Sequence, residues 1–156
     1  MKTTIPAMVV ACLLLLHSGC ASGPTVKQGF DFSRFHTFAI LPVKAKGTYQ
    51  DPTIVARLSG PVQESITTTL VVKGFKPVAE SEADFLVKLG FDYFEDQGRY
   101  EERMFDLQII DRQSQAVVWS DLSRNKTDTT LPEYVVRQLV ARMLAPFPPG
   151  SKTGAH

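Results

Sequence analysis

Cysteine and histidine are scarce in this sequence, with two of the first and three of the second among 156 residues. Two cysteines cannot build the staple framework of a disulfide scaffold. His17, His36 and His156 lie far apart, so a zinc site is not expected, and Ser-His or Cys-His catalysis has little to draw on. Charge of either sign is also unconcentrated. The 17 basic and 16 acidic residues nearly cancel, and no run of charges exceeds three residues. That excludes a nucleic-acid binder and a polybasic membrane adhesin. The ten glycines are scattered, so no loop cradles a phosphate. No apolar run reaches the roughly 20 residues that a membrane-crossing helix needs.

What is present begins at the N-terminus. Lys2 supplies a positive start, and Ile5 to Leu16 is apolar, interrupted only by Pro6. Ser18, Gly19 and Cys20 follow. The order is that of a secretory signal peptide. The stretch LLLLHSGCAS resembles a bacterial lipobox, in which the cysteine is acylated before cleavage. Ser18, Gly19 and Cys20 match that pattern, whereas His17 stands where leucine is usual. Residues 1–19 are therefore read as a lipoprotein signal peptide and residues 20–29 as lipidated N-terminus and linker. Cleavage removes Cys12 and Lys2, which leaves Cys20 as the sole thiol and an even charge balance. Ordinary cleavage near Ala21 or Gly23 is the rival, and would leave a soluble periplasmic protein. Ala21 after Cys20, by resemblance to enterobacterial sorting, favours the outer membrane. A linker of nine residues, 21–29, would reach at most ~30 Å.

Residues 30–149 read as a single globular domain. Phe35 to Leu41 alternates as a strand that Pro42 ends. Asp51-Pro52 starts a helix, whose Ile54, Leu58, Val62, Ile66 and Leu70 form one stripe. Gly60-Pro61 predicts a kink or a fresh start, and Gly74 a stop. Phe85, Val87, Leu89, Phe91 and Tyr93 alternate with Leu86, Lys88, Gly90 and Asp92; Phe105, Leu107 and Ile109 repeat the pattern. Asp111 to Gln115 is a five-residue hairpin loop leading to a strand, Ala116 to Leu122. Thr130 and Glu133 fit a capping box, opening a helix with Val135, Val136, Leu139, Val140, Met143 and Leu144 on one stripe and Pro146 as stop. The chain after Ala145 is Pro/Gly-rich and reads as loose, residues 150–156 as a loose tail. The expected fold class is α+β: a two-layer domain with a mostly antiparallel four- to five-stranded sheet and two helices on one face.

Four segments together resemble a bacterial lipoprotein family known as domain-of-unknown-function family 4136. They are FDFSRFHTFAILP (residues 30–42), KGF followed by EADFLVKL (73–75 and 82–89), LQIIDRQSQAVVWS (107–120), and the last helix running into FPP (147–149). In that family glycine often stands at the place of Gln115, and Gly60-Pro61 is unusual. The resemblance implies an envelope lipoprotein and supplies no catalytic residue.

Chemistry offers few candidates. Asp92, Glu95, Asp96, Glu101 and Glu102 gather near a turn beside Arg99 and Arg103, a solvated charge cluster more readily than a hydrolase pair. Asp111 and Asp121 read as turn and strand-end caps. No catalytic, cofactor-binding or metal residue is assigned, and no cofactor is expected. One sheet face, with Leu86, Lys88, Met104, Gln108, Ile110, Val118 and Leu122, is less polar than free solvation requires. The expectation is a non-enzymatic envelope lipoprotein, membrane-bound through acyl chains at Cys20, facing the periplasm from the outer membrane of a Gram-negative bacterium. That sheet face would meet an envelope protein partner; nucleic acid is no partner. Carriage of a small apolar ligand is the alternative, and a carboxylate-dependent hydrolase a more distant one.

Overall fold

A computed structural model describes residues 23–46, 52–96, 100–127 and 132–150. Among these residues seven strands and two α-helices follow in chain order: β1 (Thr25–Val26), β2 (Thr37–Ile40), β3 (Lys44–Lys46), α1 (Pro52–Val72), β4 (Lys76–Pro77), β5 (Phe85–Asp96), β6 (Tyr100–Asp111), β7 (Val117–Thr127) and α2 (Glu133–Leu144). The strands make one mixed sheet in the order β1-β7-β6-β5-β2-β4, with β3 also paired to β5.

The long antiparallel strands match the alternation in sequence. Phe85, Val87, Leu89 and Phe91 of β5 and Phe105, Leu107 and Ile109 of β6 are buried under the helices. The register places Phe91 opposite Phe105, Leu89 opposite Leu107 and Val87 opposite Ile109, so each cross-strand pair feeds the same core. The sheet is larger and less antiparallel than expected, however. β2 pairs in parallel with β4 and β5, and β3 in parallel with β5. The first strand ends before Pro42, as expected; Leu41 still donates its N–H to Val87, and pairing to β5 resumes at Lys44 in β3. β1 lies within the expected linker. It pairs antiparallel with β7, Thr25 opposite Ser120 and Val26 opposite Trp119, so the ordered domain begins at least five residues earlier than residue 30.

α1 runs unbroken through Gly60-Pro61, so no fresh helix starts there. Proline at this point removes one helical hydrogen bond. Leu58, Val62, Ile66 and Leu70 are nonetheless all buried, on both sides of it. Each such burial contributes about 1.5–3 kcal/mol, enough to outweigh the loss. Asp51, the expected cap, lies outside the described residues. At the far end Gly74 takes φ 96°. Its N–H reaches Val71 and that of Phe75 reaches Leu70, the paired bonds of a Schellman stop.

α2 begins at Glu133 with Pro132 in the capping position and no side-chain cap. Glu133 is then the first helical residue, not the third as a capping box requires; Thr130 lies outside the described residues. Val136, Leu139, Val140, Met143 and Leu144 face the core, with Val135 partly buried against it.

The chain after Ala145 is not loose as far as it is described. Phe147 is 1% exposed. Its ring centroid lies 5.5–5.7 Å from those of Phe32, Phe75, Phe85 and Trp119. Lys73 reaches across from the end of α1, its Nζ donating to the carbonyls of Ala145 (2.8 Å) and Phe147 (2.7 Å). Gly150 donates its N–H to the Lys73 carbonyl. Burial pulls the Lys73 ammonium below its ordinary range. Residues 151–156 lie outside the described residues.

Between β6 and β7, Gln115 occupies the left-handed region at φ 55°. A side chain there costs roughly 1–2 kcal/mol, and glycine costs less despite its greater unfolded freedom. Gln115→Gly should therefore stabilise the domain by about 0.5 kcal/mol, after the loss of the exposed bond from Gln115 Nε2 to the Arg112 carbonyl. Urea denaturation checks this. A lowered midpoint for the glycine variant would contradict it, and Gln115→Val should be worse than wild type.

Candidate functional site

Two places in the fold gather the residues singled out in the sequence. The first is the sheet face opposite the helices. Cross-strand register builds it in rows: Leu86 with Ile110 and Val117, Lys88 with Gln108 and Ser120, Gly90 with Asp106 and Leu122, Asp92 with Met104 and Arg124. Its two ends differ. At one end Leu86, 5% exposed, forms a small apolar cluster with Ala39 and Ala83, and Leu41, Val78 and Ile110 pack against it. The chain's own segment after β4 thus covers this end. Toward the other end Lys88, Met104 and Gln108 are half-buried and Leu122 is exposed. The Gln108 amide donates to both Asp106 carboxylate oxygens, at 3.0 and 3.3 Å.

Val118 does not belong to this face. The β6–β7 register shifts between Ile109 and Ile110, so that Trp119 opposes Ile109 while Val117 opposes Ile110. Val118 is the extra residue of this bulge. It is buried with Trp119 in the helix-covered core.

The second place is a polar clasp that sequence reasoning did not assemble. It joins the short helical turn Phe32–Arg34, the start of β5 and the β6–β7 turn around a cleft of about 610 Å³. Arg34 pairs with the buried Asp111 carboxylate at 2.8 Å. The Arg34 guanidinium also lies over the Phe30 and Phe35 rings, 4.8 and 5.6 Å from their centroids. Asp111 Oδ2 accepts from the Ser114 N–H and hydroxyl, which closes the turn as expected for a cap. Asp84 Oδ2 accepts the N–H groups of His36 (2.8 Å) and Thr37 (2.9 Å), and its own N–H reaches Thr37 Oγ1. Arg112 donates Nε to the Ala83 carbonyl and its N–H to that of Asp84. Burial alone would raise both carboxyls. The donors facing them outweigh it and hold Asp84 and Asp111 below the usual carboxylate range. The one available signal was that Arg34, Asp84, Asp111 and Arg112 each fall inside a segment quoted above for the family resemblance.

The Arg34–Asp111 ion pair and the hydrogen bonds of Asp84 and Arg112 tie the three segments of the clasp together. His36 is exposed at its margin. The carboxylates near the β5–β6 turn lie along the far ends of those strands, with Glu95 in register opposite Glu101 and Phe94 opposite Glu102; Arg99 lies outside the described residues. Asp121 sits within β7 rather than at its end, and burial pushes its carboxyl up. Among the described residues no three histidine, cysteine or acidic side chains gather as metal ligands, and no helix is long and apolar enough to cross a membrane. Cys20 lies outside the described residues.

The fold has solved counterparts. A PDZ domain protein from Parabacteroides distasonis superimposes with a TM-score of 0.62 at 18% identity, covering 80% of this chain and 35% of that one. A PelC dodecamer from Paraburkholderia phytofirmans gives 0.53 at 14% identity, covering 79% and 93%. A family protein from Bacteroides thetaiotaomicron gives 0.54 at 11% identity, covering 78% and 91%. No curated protein matches the chain. The model of the family described as Domain of unknown function (DUF4136) matches residues 25–149, from β1 through the docked Phe147 segment, and the chain belongs to that family.

Proposed function

We propose that the protein is an envelope lipoprotein, held in the outer membrane by acyl chains on Cys20 and facing the periplasm as a non-enzymatic interaction or assembly module. The observation that carries this is the segment preceding β1. A positive residue, a 12-residue apolar run and Ser18-Gly19-Cys20 lead, five residues later, into a strand that is already part of the sheet. A thiol so placed is explained by acylation. The half-polar sheet face around Lys88, Met104 and Gln108 supplies the interaction surface. The PelC that shares the fold is a dodecamer, so this architecture is compatible with assembly.

Cys20→Ser is expected to move the protein from the membrane to the soluble fraction and to abolish incorporation of labelled palmitate. A variant that still fractionates with membranes, beside a wild type without label, would refute the anchor. In-cell crosslinking from Lys88, or from a reactive group placed at Gln108, should capture a defined envelope protein; only random neighbours would count against the interaction reading. A second reading, carriage of a small apolar ligand, draws on a groove of about 500 Å³ lined by Val43, Ala45, Pro52, Val55 and Ala56 beside Lys44. Saturable binding of a fluorescent fatty acid, blocked by Val55→Trp, would favour it.

A further inference from the structure

Among the described residues the exposed large apolar side chains fall in two places: Val71, Val72 and Tyr134 on the helices, and a second group on the sheet. Val26, Val117 and Leu122 are 50%, 46% and 44% exposed, and all three sit on β1 and β7, at one edge of the sheet. Val26 is in register with Trp119 on the helix side, Leu122 with Asp106 on the other side. The two therefore straddle the edge. Lys27 and Arg124, both exposed, flank them.

Where the chain leaves the domain fixes what lies beside this edge. Pairing of Thr25 with Ser120 brings the N-terminal segment out between Val26 and Leu122. Pro24 has no N–H to extend the ladder. From Thr25 back to Cys20 is five residues, which span at most about 18 Å when fully extended. The nine-residue linker of residues 21–29 would have reached about 30 Å. The geometry points to edge-on docking of β1 and β7 against the phospholipid surface that holds the chain. Val26 and Leu122 enter the headgroup layer, and Lys27 and Arg124 meet its phosphates. Backbone groups along the edge stay hydrated at that depth, so no unpaired N–H is carried into hydrocarbon. The sheet would stand upright on the membrane, with its β4 edge farthest from it. This rests on the Cys20 anchor proposed above.

The test uses the full chain with its native lipid, reconstituted in vesicles of phosphatidylethanolamine and phosphatidylglycerol. Acylation blocks the Cys20 thiol, so an environment-sensitive fluorophore can be placed singly through Leu122→Cys, Val26→Cys or, as reference, Val72→Cys at the 83%-exposed end of α1. The labels at 122 and 26 are expected to shift to the blue and to be quenched by lipids carrying a headgroup-level nitroxide, while the label at 72 stays unshifted and unquenched. Labels at 122 and 72 that behave alike on floating vesicles overturn the docking and leave the anchor standing. A blue shift at 122 without lipid quenching, as burial against a second copy would give, overturns it too. Wild type that fails to float with the vesicles overturns the anchor and the docking together.

Discussion

Phe147→Ala should destabilise the domain by about 3–5 kcal/mol, the range for emptying a buried aromatic position. That is a large share of the 5–15 kcal/mol a domain of this kind has in total. The reason is where the ring sits. It is the hub at which Phe32 from the N-terminal turn, Phe75 beyond α1, Phe85 of β5 and Trp119 of β7 meet, at 5.5–5.7 Å between centroids. Removing it empties the junction of these four segments, and Lys73, tied to the carbonyls of Ala145 and Phe147, keeps the backbone from collapsing into the space. Phe147→Leu, nearer in volume, should cost less than ~1.5 kcal/mol. Urea denaturation of both variants checks the pair. A cost under 1 kcal/mol for alanine would mean that the segment after Ala145 is dispensable, as its composition alone suggests; truncation after Ala145 should instead be at least as damaging as the alanine.

Phe147 shows what kind of information a linear reading misses. Pro/Gly-rich composition describes the backbone freedom of a segment, and one aromatic within it can still find a core site that depends on four distant residues. Elements with a long period were legible. The twelve-residue strands β5 and β6 carry enough alternation to name their buried faces, and the four-residue spacing from Leu58 to Leu70 named that of α1. The parallel pairings of β3 and β4 were not, because those strands hold three and two residues, too few to show any period, and the two-residue antiparallel β1 escaped for the same reason. Val118 was misplaced for a related reason: a period of two counted back from Leu122 and Ser120 reaches Val118, but the bulge adds one residue there, and the face continues at Val117 instead. Of the proposed interaction face, the rows through Lys88, Gln108 and Met104 were readable from alternation. That its Leu86 end is covered by the chain itself was not, since the covering residues Val78 and Ala83 precede β5 in a segment without pattern.

The clasp around Asp111 was illegible because its charges come together only after folding, and that same dependence on folding makes it titrate. Asp111→Asn keeps the shape of the side chain and an acceptor for Ser114, but discharges the pair with Arg34. At neutral pH the variant should be less stable than wild type by about 1–2 kcal/mol: the carboxylate is buried, whereas Arg34 is half-exposed and recovers solvation once released. The difference should depend on pH in one direction. Burial works to raise the Asp111 carboxyl, yet the Ser114 donors and Arg34 bring it below the ordinary 3.8. A carboxyl depressed by folding stabilises the native state fully above its unfolded value and loses that contribution as pH falls through the folded value. The gap between wild type and Asp111→Asn should thus hold constant from neutral pH down to about 5 and narrow below about 4, because protonated wild-type Asp111 then resembles the amide. Asp84, depressed in the same way by the His36 and Thr37 N–H groups, adds its own acid-side loss to both proteins and so leaves their difference untouched. Urea midpoints of the two proteins measured from pH 7 to pH 3 decide it. A gap that stays level through the acid range would mean that Asp111 acts through shape and turn closure alone, and that the Arg34 pair contributes nothing to holding the Phe32–Arg34 turn against the hairpin.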